Sequence, residues 1–156
     1  MRKGVRLFVL FLLFVGCAST STNTTNSQTL RTLYDAFARG DVPTVLAGFD
    51  PDIVWSEAEG ASYASGNPYR GPQAVAQGVF MRVGTEWNGF RVMPDQFIDA
   101  GDTVVVVGRY TGTFKATGQQ INAPFVHVWK FRNGKAVAYT NYTDTAQFDR
   151  VMGLSR

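Results

Sequence analysis

Residues 121–144 have the sequence INAPFVHVWKFRNGKAVAYTNYTD, and this stretch determines the predicted fold. Its strongest signal is Asn133-Gly134, because this dipeptide is typical of a two-residue type I′ turn between antiparallel strands. The segments on either side are rich in apolar and β-branched residues. Residues 121–132 and 135–144 are therefore predicted to be the two strands of a hairpin.

The hairpin is predicted to continue into a longer antiparallel sheet towards the N-terminus. Residues 103–117 include four consecutive valines, and residues 90–99 also have the character of a strand. Ala100-Gly101 and Gly118-Gln119 are predicted to be the turns between these strands.

The N-terminal part of the chain has helical patterns instead. Four apolar residues follow the i, i+3, i+4, i+7 spacing of an amphipathic helix: Leu30, Leu33, Tyr34 and Phe37. Ser27 or Thr29 can cap this helix, and Asp41 can cap a short second one. A third helix is predicted from Gly71-Pro72 to about Trp87.

Three shorter segments complete the prediction. A strand is expected at residues 53–55, a loop at 60–70 and a closing helix at 145–152. Helices followed by an antiparallel meander indicate an α+β domain, with three N-terminal helices packed on a curved antiparallel sheet.

The two hairpin turns also predict which side chains share a face. If each turn has two residues, His127 lies opposite Tyr110 on one neighbouring strand and Thr140 on the other. Likewise, Trp129 lies opposite Gly108. The predicted concave face, under the helices, then carries the larger aromatic side chains and the single histidine: Val106, Tyr110, Phe114, Phe125, His127, Trp129, Phe131, Ala138, Thr140, Tyr142 and Asp144. A shift of one residue in either turn would reverse these faces.

The first residues have the pattern of an export signal. Three basic residues precede the apolar run LFVLFLLFV at 7–15, which is too short to span a bilayer. Phe14-Val15-Gly16-Cys17 follows and resembles a lipobox, although Phe14 stands where leucine is usual. Residues 1–16 are therefore predicted to be a lipoprotein signal peptide, with Cys17 as the lipidation site. The alternative is an ordinary leader that happens to contain a cysteine.

The predicted anchor implies a location and an organisation. Residues 17–28 are rich in Ser, Thr and Asn and are predicted to be a flexible tether, followed by one folded domain at 29–156. We expect a protein of the bacterial cell envelope, attached to a membrane through lipidated Cys17 and facing away from the cytoplasm.

Composition excludes several classes of function. Of the 15 Lys and Arg residues, three lie in the leader, which leaves 12 against 12 Asp and Glu. The folded part therefore has no basic surface suited to nucleic acid. With one cysteine and one histidine, a zinc site is not expected. No metal or other cofactor is predicted.

Several motifs together resemble the SnoaL-like, ketosteroid-isomerase-related branch of the NTF2-like superfamily. The resemblance covers about residues 29–150 and rests on LYDAFARGD at 33–41, YRGPQAV at 69–75, DAGD at 99–102, HVWKFRNGK at 127–135 and YTDTA at 142–146. It implies a cone in which a curved sheet wraps around a long helix. A mostly apolar pocket remains between the sheet and the helix. It also implies a homodimer formed through the outer face of the sheet, which the valines of that face would suit.

The resemblance also implies candidate site residues. Asp144 matches the position of the general base in related cyclases and isomerases, while the alternative is that it caps the final helix. His127 could hydrogen-bond a ligand carbonyl or orient Asp144, and the alternative is a core histidine. The candidate pocket residues are Tyr34, Trp55, Tyr110, Trp129 and Tyr142, whose alternative role is in the core.

Two acidic residues near the first strand complete the candidates. Glu57 and Glu59 precede the loop at 60–70, which could cover the mouth of the pocket. The alternative for both residues is a solvated acidic surface.

Two classes of function remain open. One is a binding module that holds a small hydrophobic molecule or an envelope partner. The other is a cofactor-independent isomerase or cyclase that uses Asp144 as its general base. The fold hosts both kinds of protein, so fold alone does not choose between them.

Overall fold

A computed structural model describes residues 25–154, which form a six-stranded sheet with helices packed on one side. The strands are β1 Phe49–Ser56, β2 Tyr69–Arg70, β3 Trp87–Ala100, β4 Thr103–Phe114, β5 Gln120–Arg132 and β6 Lys135–Thr143. The α-helices are α1 Asn26–Ala38, α2 Val42–Ala47, α3 Pro72–Val75, α4 Met81–Glu86 and α5 Thr145–Met152. A 3₁₀ helix, Ser62–Gly66, and a π-helical turn, Ala76–Phe80, complete the elements.

The sheet is mixed rather than wholly antiparallel as predicted. Its strand order is β2-β1-β6-β5-β4-β3, and β1 runs parallel to β6 while every other neighbouring pair is antiparallel. In the sequence, the helical segment from α3 to α4 separates β1 from the meander of β3 to β6. In the sheet, β1 lies beside β6, the last strand of that meander. The α+β class with N-terminal helices on a curved sheet is otherwise as predicted.

Helix α1 begins earlier than the predicted domain boundary. Thr25, rather than Ser27 or Thr29, is its N-cap, and the Thr25 side chain accepts a hydrogen bond of 3.2 Å from the backbone N–H of Gln28. Residues 26–28, predicted as the end of the tether, are therefore helical. Leu30, the first residue of the predicted apolar stripe, is completely buried.

The third predicted helix consists of α3, the π turn and α4 in succession. Its predicted valine stripe, Val75, Val79 and Val83, is buried against the sheet. The π turn in its middle is a rare local geometry that often occurs at functional sites. Here it contains Val79 and Phe80, which both line a cavity.

Residues 60–70 form more structure than the predicted loop. They contain the 3₁₀ helix and β2, and Tyr63 inside this segment is buried. The Tyr63 hydroxyl donates to Glu86 at 2.7 Å and accepts from the indole N–H of Trp87 at 2.7 Å. These bonds attach the segment to the end of α4, so a buried tyrosine gives it a fixed conformation.

The central hairpin has the predicted turn. Asn133 and Gly134 both have positive φ, at 52° and 74°, as a type I′ turn requires. Arg132 pairs with Lys135, as predicted from that turn.

The two predicted registers need correction. Strand β4 ends at Phe114, because Lys115 and Thr117 bond to α4 and α5 instead, and its pairing with β5 differs from the prediction by four residues. His127 therefore lies opposite Val106. An even shift keeps the predicted faces of both strands, but Gly108 lies opposite Phe125 instead of Trp129, and Trp129 lies opposite Val104.

The register of β6 differs by one residue, which has a larger effect. The register shifts at Lys130 and Phe131, where Val137 of β6 is an extra residue, and this bulge moves the partner of His127 from Thr140 to Asn141. Because a shift of one residue turns every side chain to the opposite face, Tyr139 and Asn141 point inward. Thr140, Tyr142 and the residues in phase with them were predicted to be concave and are not.

Cys17 and most of the predicted leader and tether lie outside the described residues. Between residues 25 and 154, no helix combines the length and apolar character needed to cross a membrane.

Candidate functional site

A cavity of about 90 Å³ lies between the concave face of the sheet and the helices. It is large enough for several ordered waters or a small organic molecule. Aromatic and aliphatic side chains make up most of its wall: Leu33, Tyr34, Phe37, Val45, Phe49, Trp55, Glu57, Ala61, Tyr63, Val79, Phe80, Val83, Phe90, Val92, Tyr110, His127, Trp129, Tyr139, Asn141, Thr143 and Phe148.

Five of the sequence-predicted site residues meet at this cavity. They come from four different elements, namely α1, β1, β4 and β5: Tyr34, Trp55, Tyr110, His127 and Trp129. The inward faces of β4 and β5 bring the last three together, as the even register shift allows. Strand alternation and the amphipathic pattern of α1 were sufficient to select these residues.

Two predicted site residues do not reach the cavity. Tyr142 lies on the outer face of β6 and is 59% exposed, because the bulge at Val137 reverses the faces of the rest of β6. Asp144 is exposed and is the N-cap of α5, where its carboxylate accepts from the backbone N–H of Gln147 at 3.0 Å. The alternative role as a helix cap is therefore the one that the structure gives Asp144.

His127 is buried in a hydrogen-bonded chain of aromatic side chains. Its Nδ1 lies 2.6 Å from the Tyr34 hydroxyl and its Nε2 lies 2.5 Å from the Tyr110 hydroxyl. The Phe125 ring stacks on the imidazole at 3.9 Å between ring centroids. Burial lowers the pKa of His127 well below its usual value, so the ring is neutral at pH 7.

Because the His127 ring is neutral, the series of hydrogen bonds through it has a donor-to-acceptor direction. A neutral imidazole has one N–H and one bare nitrogen, so one tyrosine donates to it and the other accepts from it. The indole N–H of Trp129 donates to the Tyr34 oxygen at 3.0 Å, which polarises the Tyr34 hydroxyl as a donor towards His127. The chain then runs from Trp129 through Tyr34 and His127 to Tyr110, whose own proton remains available.

Tyr139 lies beside Tyr110 at the end of this chain. Burial raises the pKa of Tyr110 well above its usual value, the nearby charge of Glu57 raises it further, and hydrogen bonding with Tyr139 and Asn141 opposes the rise. Burial also raises the pKa of Tyr139. Both hydroxyls therefore keep their protons, and with one bond between them the Tyr110–Tyr139 pair has one O–H donor for a ligand.

Glu57 is the single carboxylate in the cavity wall along the described chain. Only 7% of the residue is exposed, and each carboxylate oxygen accepts one hydrogen bond. Trp55 Nε1 donates to Oε1 at 2.7 Å, and Asn141 Nδ2 donates to Oε2 at 2.8 Å. The backbone of Glu57 is fixed by two further bonds to the side chain of Asn67.

The environment of Glu57 makes it a stronger base than an exposed carboxylate. Burial raises the pKa of the Glu57 carboxyl, and the hydrogen bonds from Asn141 and Trp55 oppose the rise. No Lys or Arg of the described chain lines the cavity, so no cation compensates the charge of Glu57 there. A carboxylate with these properties suits the transfer of a proton at neutral pH.

Sequence reasoning missed Glu57, Asn141 and Tyr139. Glu57 was considered only beside a loop at the mouth of the pocket, with a solvated surface as the alternative, but it continues the inward alternation of Ile53 and Trp55 by one more step of two residues. That signal was present in the sequence. Asn141 and Tyr139 could not be found from it, because the bulge that turns them inward has no clear sequence signature.

Outside the cavity, the acidic and metal-binding side chains of the described residues do not form a second candidate site. Within residues 25–154, no three His, Cys, Asp or Glu side chains converge to hold a metal ion. Glu86 is a partly buried acid near the cavity. It pairs with Arg82 at 3.0 Å and hydrogen-bonds with Tyr63.

The curved mixed sheet, the packed helices and the cavity between them define an NTF2-like domain. The chain matches the SnoaL-like domain family over residues 30–139 and therefore belongs to that family. No protein with a curated description matches it.

Solved structures agree with this assignment. An NTF2-like protein from Burkholderia thailandensis E264 has 37% sequence identity and a TM-score of 0.78, over 82% of this chain and 97% of that one. An NTF2-like protein of unknown function from Burkholderia pseudomallei K96243 has 38% identity and a TM-score of 0.74, over 81% and 95%. TerC, co-crystallised with polyporic acid, has 29% identity and a TM-score of 0.73, over 82% and 98%.

Proposed function

We propose that the domain binds a small, mostly apolar carbonyl compound in the cavity and transfers a proton at the carbon next to the carbonyl. Glu57 is the general base in this proposal. The observation that carries it is a buried carboxylate, free of any neighbouring cation, in a cavity with aromatic walls. The co-crystallisation of the similar TerC with polyporic acid supports a small organic ligand.

The Tyr110–Tyr139 pair completes the proposed chemistry. When Glu57 removes a proton beside a carbonyl, negative charge develops on the carbonyl oxygen. The available O–H of the pair can donate to that oxygen, and preorganised donors of this kind stabilise such charge. The chain from Trp129 through His127 fixes the direction of this donor before the ligand binds.

Hydrogen–deuterium exchange tests the proposal without knowledge of the natural ligand. Cyclohexanone is incubated in D₂O with the purified full-length protein, and loss of its α-proton signal is followed by NMR. We expect Glu57→Gln to lower the protein-dependent rate by on the order of 100-fold or more. Tyr110→Phe should lower it by on the order of 100-fold as well. Exchange that is equally fast with Glu57→Gln would remove Glu57 from this role.

A binding module without catalysis is the second candidate. The closed hydrogen-bond chain around His127 and the small apolar cavity favour it, because both give a rigid, preformed site. In this case cyclohexanone would bind and shift the NMR signals of the protein, but its α-protons would not exchange faster than in buffer.

We propose in addition that the protein is an envelope lipoprotein acylated at Cys17. The support is in the sequence, where the only cysteine follows the apolar run of the leader after a single glycine, Gly16. Several acyl chains on one residue would hold the domain at a membrane, away from the cytoplasm. Labelling of growing cells with radioactive palmitate should mark the wild-type protein and leave Cys17→Ser unmarked.

We also propose a homodimer through the outer face of the sheet. Large apolar side chains remain exposed on that face, including Met93 and Ile98 on β3 and Tyr142 on β6. Val126 and Val128 lie between them on β5 and are only half-buried.

A further inference from the structure

Trp55 contacts both groups that the proposed reaction uses. Its indole N–H donates to Oε1 of Glu57 at 2.7 Å, and its ring stacks on Tyr139 with 3.6 Å between ring centroids. Only 5% of Trp55 is exposed. One buried side chain therefore touches the proposed base and one member of the Tyr110–Tyr139 pair, the proposed donor to the carbonyl oxygen.

The position of Trp55 in β1 explains both contacts. Trp55 and Glu57 are two residues apart, so strand alternation turns both side chains to the concave face. In the sheet, Trp55 is the partner of Tyr139 on the parallel strand β6. Partner residues on neighbouring strands share a face, and the indole and phenol rings can therefore stack.

Three further aromatic rings hold the indole in one orientation. Trp129 and Phe80 contact it edge to face, with centroid distances of 5.5 and 5.6 Å, and Phe49 lies 5.7 Å away. A ring that is packed on this many sides cannot leave its rotamer without opening the core. The direction of the indole N–H is therefore fixed before a ligand binds.

The fixed indole in turn orients the carboxylate of Glu57. Trp55 bonds Oε1 and Asn141 bonds Oε2 at 2.8 Å, so each oxygen has its own donor. An indole has a single N–H, and this one is used on Glu57. The same bond stabilises the ionised carboxyl and opposes the rise in the pKa of Glu57 that burial causes.

We propose that Trp55 is the positioning residue of Glu57, whose carboxylate it holds in a fixed direction relative to the Tyr110–Tyr139 pair. Without the indole N–H, the carboxylate would be less well oriented and would ionise only at higher pH. The part of this proposal that concerns proton transfer rests on the proposed function. The hydrogen bond that holds Glu57 does not depend on it.

An NMR titration of the full-length protein tests whether Trp55 holds Glu57. The chain has three glutamates, so labelling their carboxyl carbons with ¹³C gives three signals, and Glu57→Gln identifies the signal of Glu57. We expect Trp55→Phe to raise the titration midpoint of Glu57 by at least about one pH unit, because the ionised form loses one of its two hydrogen bonds. An unchanged or lowered midpoint would overturn the proposal.

The direction of this shift separates positioning from a merely structural role. If Trp55 only filled space, its loss would admit water to Glu57, and the midpoint would fall towards that of an exposed carboxyl. Burial raises the pKa of the other acids in the cavity wall and lowers the pKa of its histidine, so near neutral pH none of them is charged: Tyr34, Tyr63, Tyr110, Tyr139 and His127.

Trp87→Phe is the matched control. Trp87 is 3% exposed, and its indole N–H also donates at 2.7 Å, but to the neutral hydroxyl of Tyr63. The same substitution there should leave the midpoint of Glu57 at its wild-type value. An equal shift in both variants would overturn a specific role for Trp55.

The α-proton exchange of cyclohexanone in D₂O tests the effect on proton transfer. At a pH above both midpoints, Glu57 is ionised with and without Trp55, so only its orientation differs. There we expect exchange to be about tenfold slower in Trp55→Phe than in the wild type, and unchanged in Trp87→Phe. An unchanged rate in Trp55→Phe would overturn the positioning role. No exchange in the wild type would refute the proposed reaction instead, and the NMR titration would still decide whether Trp55 holds Glu57.

A measurement on the wild-type protein decides the matter if Trp55→Phe does not fold. The chain has three tryptophans and therefore three indole N–H signals in a ¹⁵N-labelled sample. One of them should move with pH at the midpoint of Glu57, and this movement should disappear in Glu57→Gln. If none of the three signals follows the titration of Glu57, the proposal is wrong.

Discussion

Glu57 and His127 are both buried, and burial acts on them in opposite ways. It raises the pKa of the Glu57 carboxyl and lowers the pKa of the His127 imidazole, because the charged form is disfavoured in both cases. The result is a base that can accept a proton and a histidine that stays neutral. In the proposed reaction His127 therefore acts through its two tyrosine neighbours as a positioning residue, and proton transfer is assigned to Glu57.

The stability of the protein should depend on pH through His127. In the unfolded chain His127 binds a proton below about pH 6.5, while the folded protein keeps it neutral to a lower pH. The stabilisation from neutral His127 is therefore present above about pH 6.5 and is lost as the pH falls towards the folded pKa. The loss is about 1.4 kcal/mol per pH unit within this window.

His127→Gln isolates this contribution from the other groups. Its free energy of unfolding is measured with urea alongside the wild-type protein at several pH values between 8 and 5. The difference in favour of the wild type should shrink as the pH falls below about 6.5. Glu57 shifts in the opposite direction, but it is present in both proteins and cancels. A difference that stays constant with pH would contradict a buried neutral His127.

At the scale of the elements, the pairing of β4 with β3 and β5 depends on Gly108. A Cβ atom built there would lie 2.2 Å from the carbonyl oxygen of Met93 and 2.6 Å from the ring of Phe125. Both contacts are too close for carbon, and the first is with backbone that cannot move without breaking the β3–β4 ladder.

Gly108→Ala should therefore lower the free energy of unfolding by about 1–3 kcal/mol. Gly84→Ala is the matched control, because Gly84 lies in α4 with nothing within 4 Å of its Cβ position. It should raise stability by about 0.5–1 kcal/mol through helix propensity. Urea denaturation of both variants measures the effect, and a neutral Gly108→Ala would contradict the observed register.

Some helices, strands and turns could be predicted from the sequence and others could not. Local signals such as the Asn133-Gly134 turn and the valine stripe of the third helix predicted elements correctly, because they depend on neighbouring residues only. The turn after β4 was misplaced, since Lys115 and Thr117 bond to α4 and α5, which are distant in sequence. The predicted inward face of β6 was wrong because one bulge in β6, at Val137, reverses it.

The residues of the candidate site were also predictable only in part. The aromatic wall was predictable, because strand alternation and helix periodicity select inward positions. The acid was assigned to Asp144, although the alternation of Ile53 and Trp55 already indicated that Glu57 points inward; the structure shows Asp144 as a helix cap and Glu57 as a buried carboxylate. Motif similarity favoured Asp144, whereas burial and hydrogen bonding favour Glu57.

At the scale of the whole molecule, the two faces of the sheet have different roles. The concave face forms the cavity, while the outer face exposes apolar side chains that suit a second copy of the chain. Val128→Glu places a charge in the middle of that outer face. We expect the wild type to be a dimer and Val128→Glu a monomer in light-scattering measurements. A wild-type monomer would refute the proposed homodimer without affecting the cavity.

The proposed role of Glu57 is tested by comparing the two carboxylates in one experiment. Glu57→Gln and Asp144→Asn each convert an acid to its amide, and α-proton exchange of cyclohexanone in D₂O is measured for both against the wild type. Asparagine caps helices as well as aspartate, so Asp144→Asn should fold normally. We expect full exchange with Asp144→Asn and a loss of on the order of 100-fold or more with Glu57→Gln. Loss of exchange with Asp144→Asn and its retention with Glu57→Gln would contradict the role proposed for Glu57.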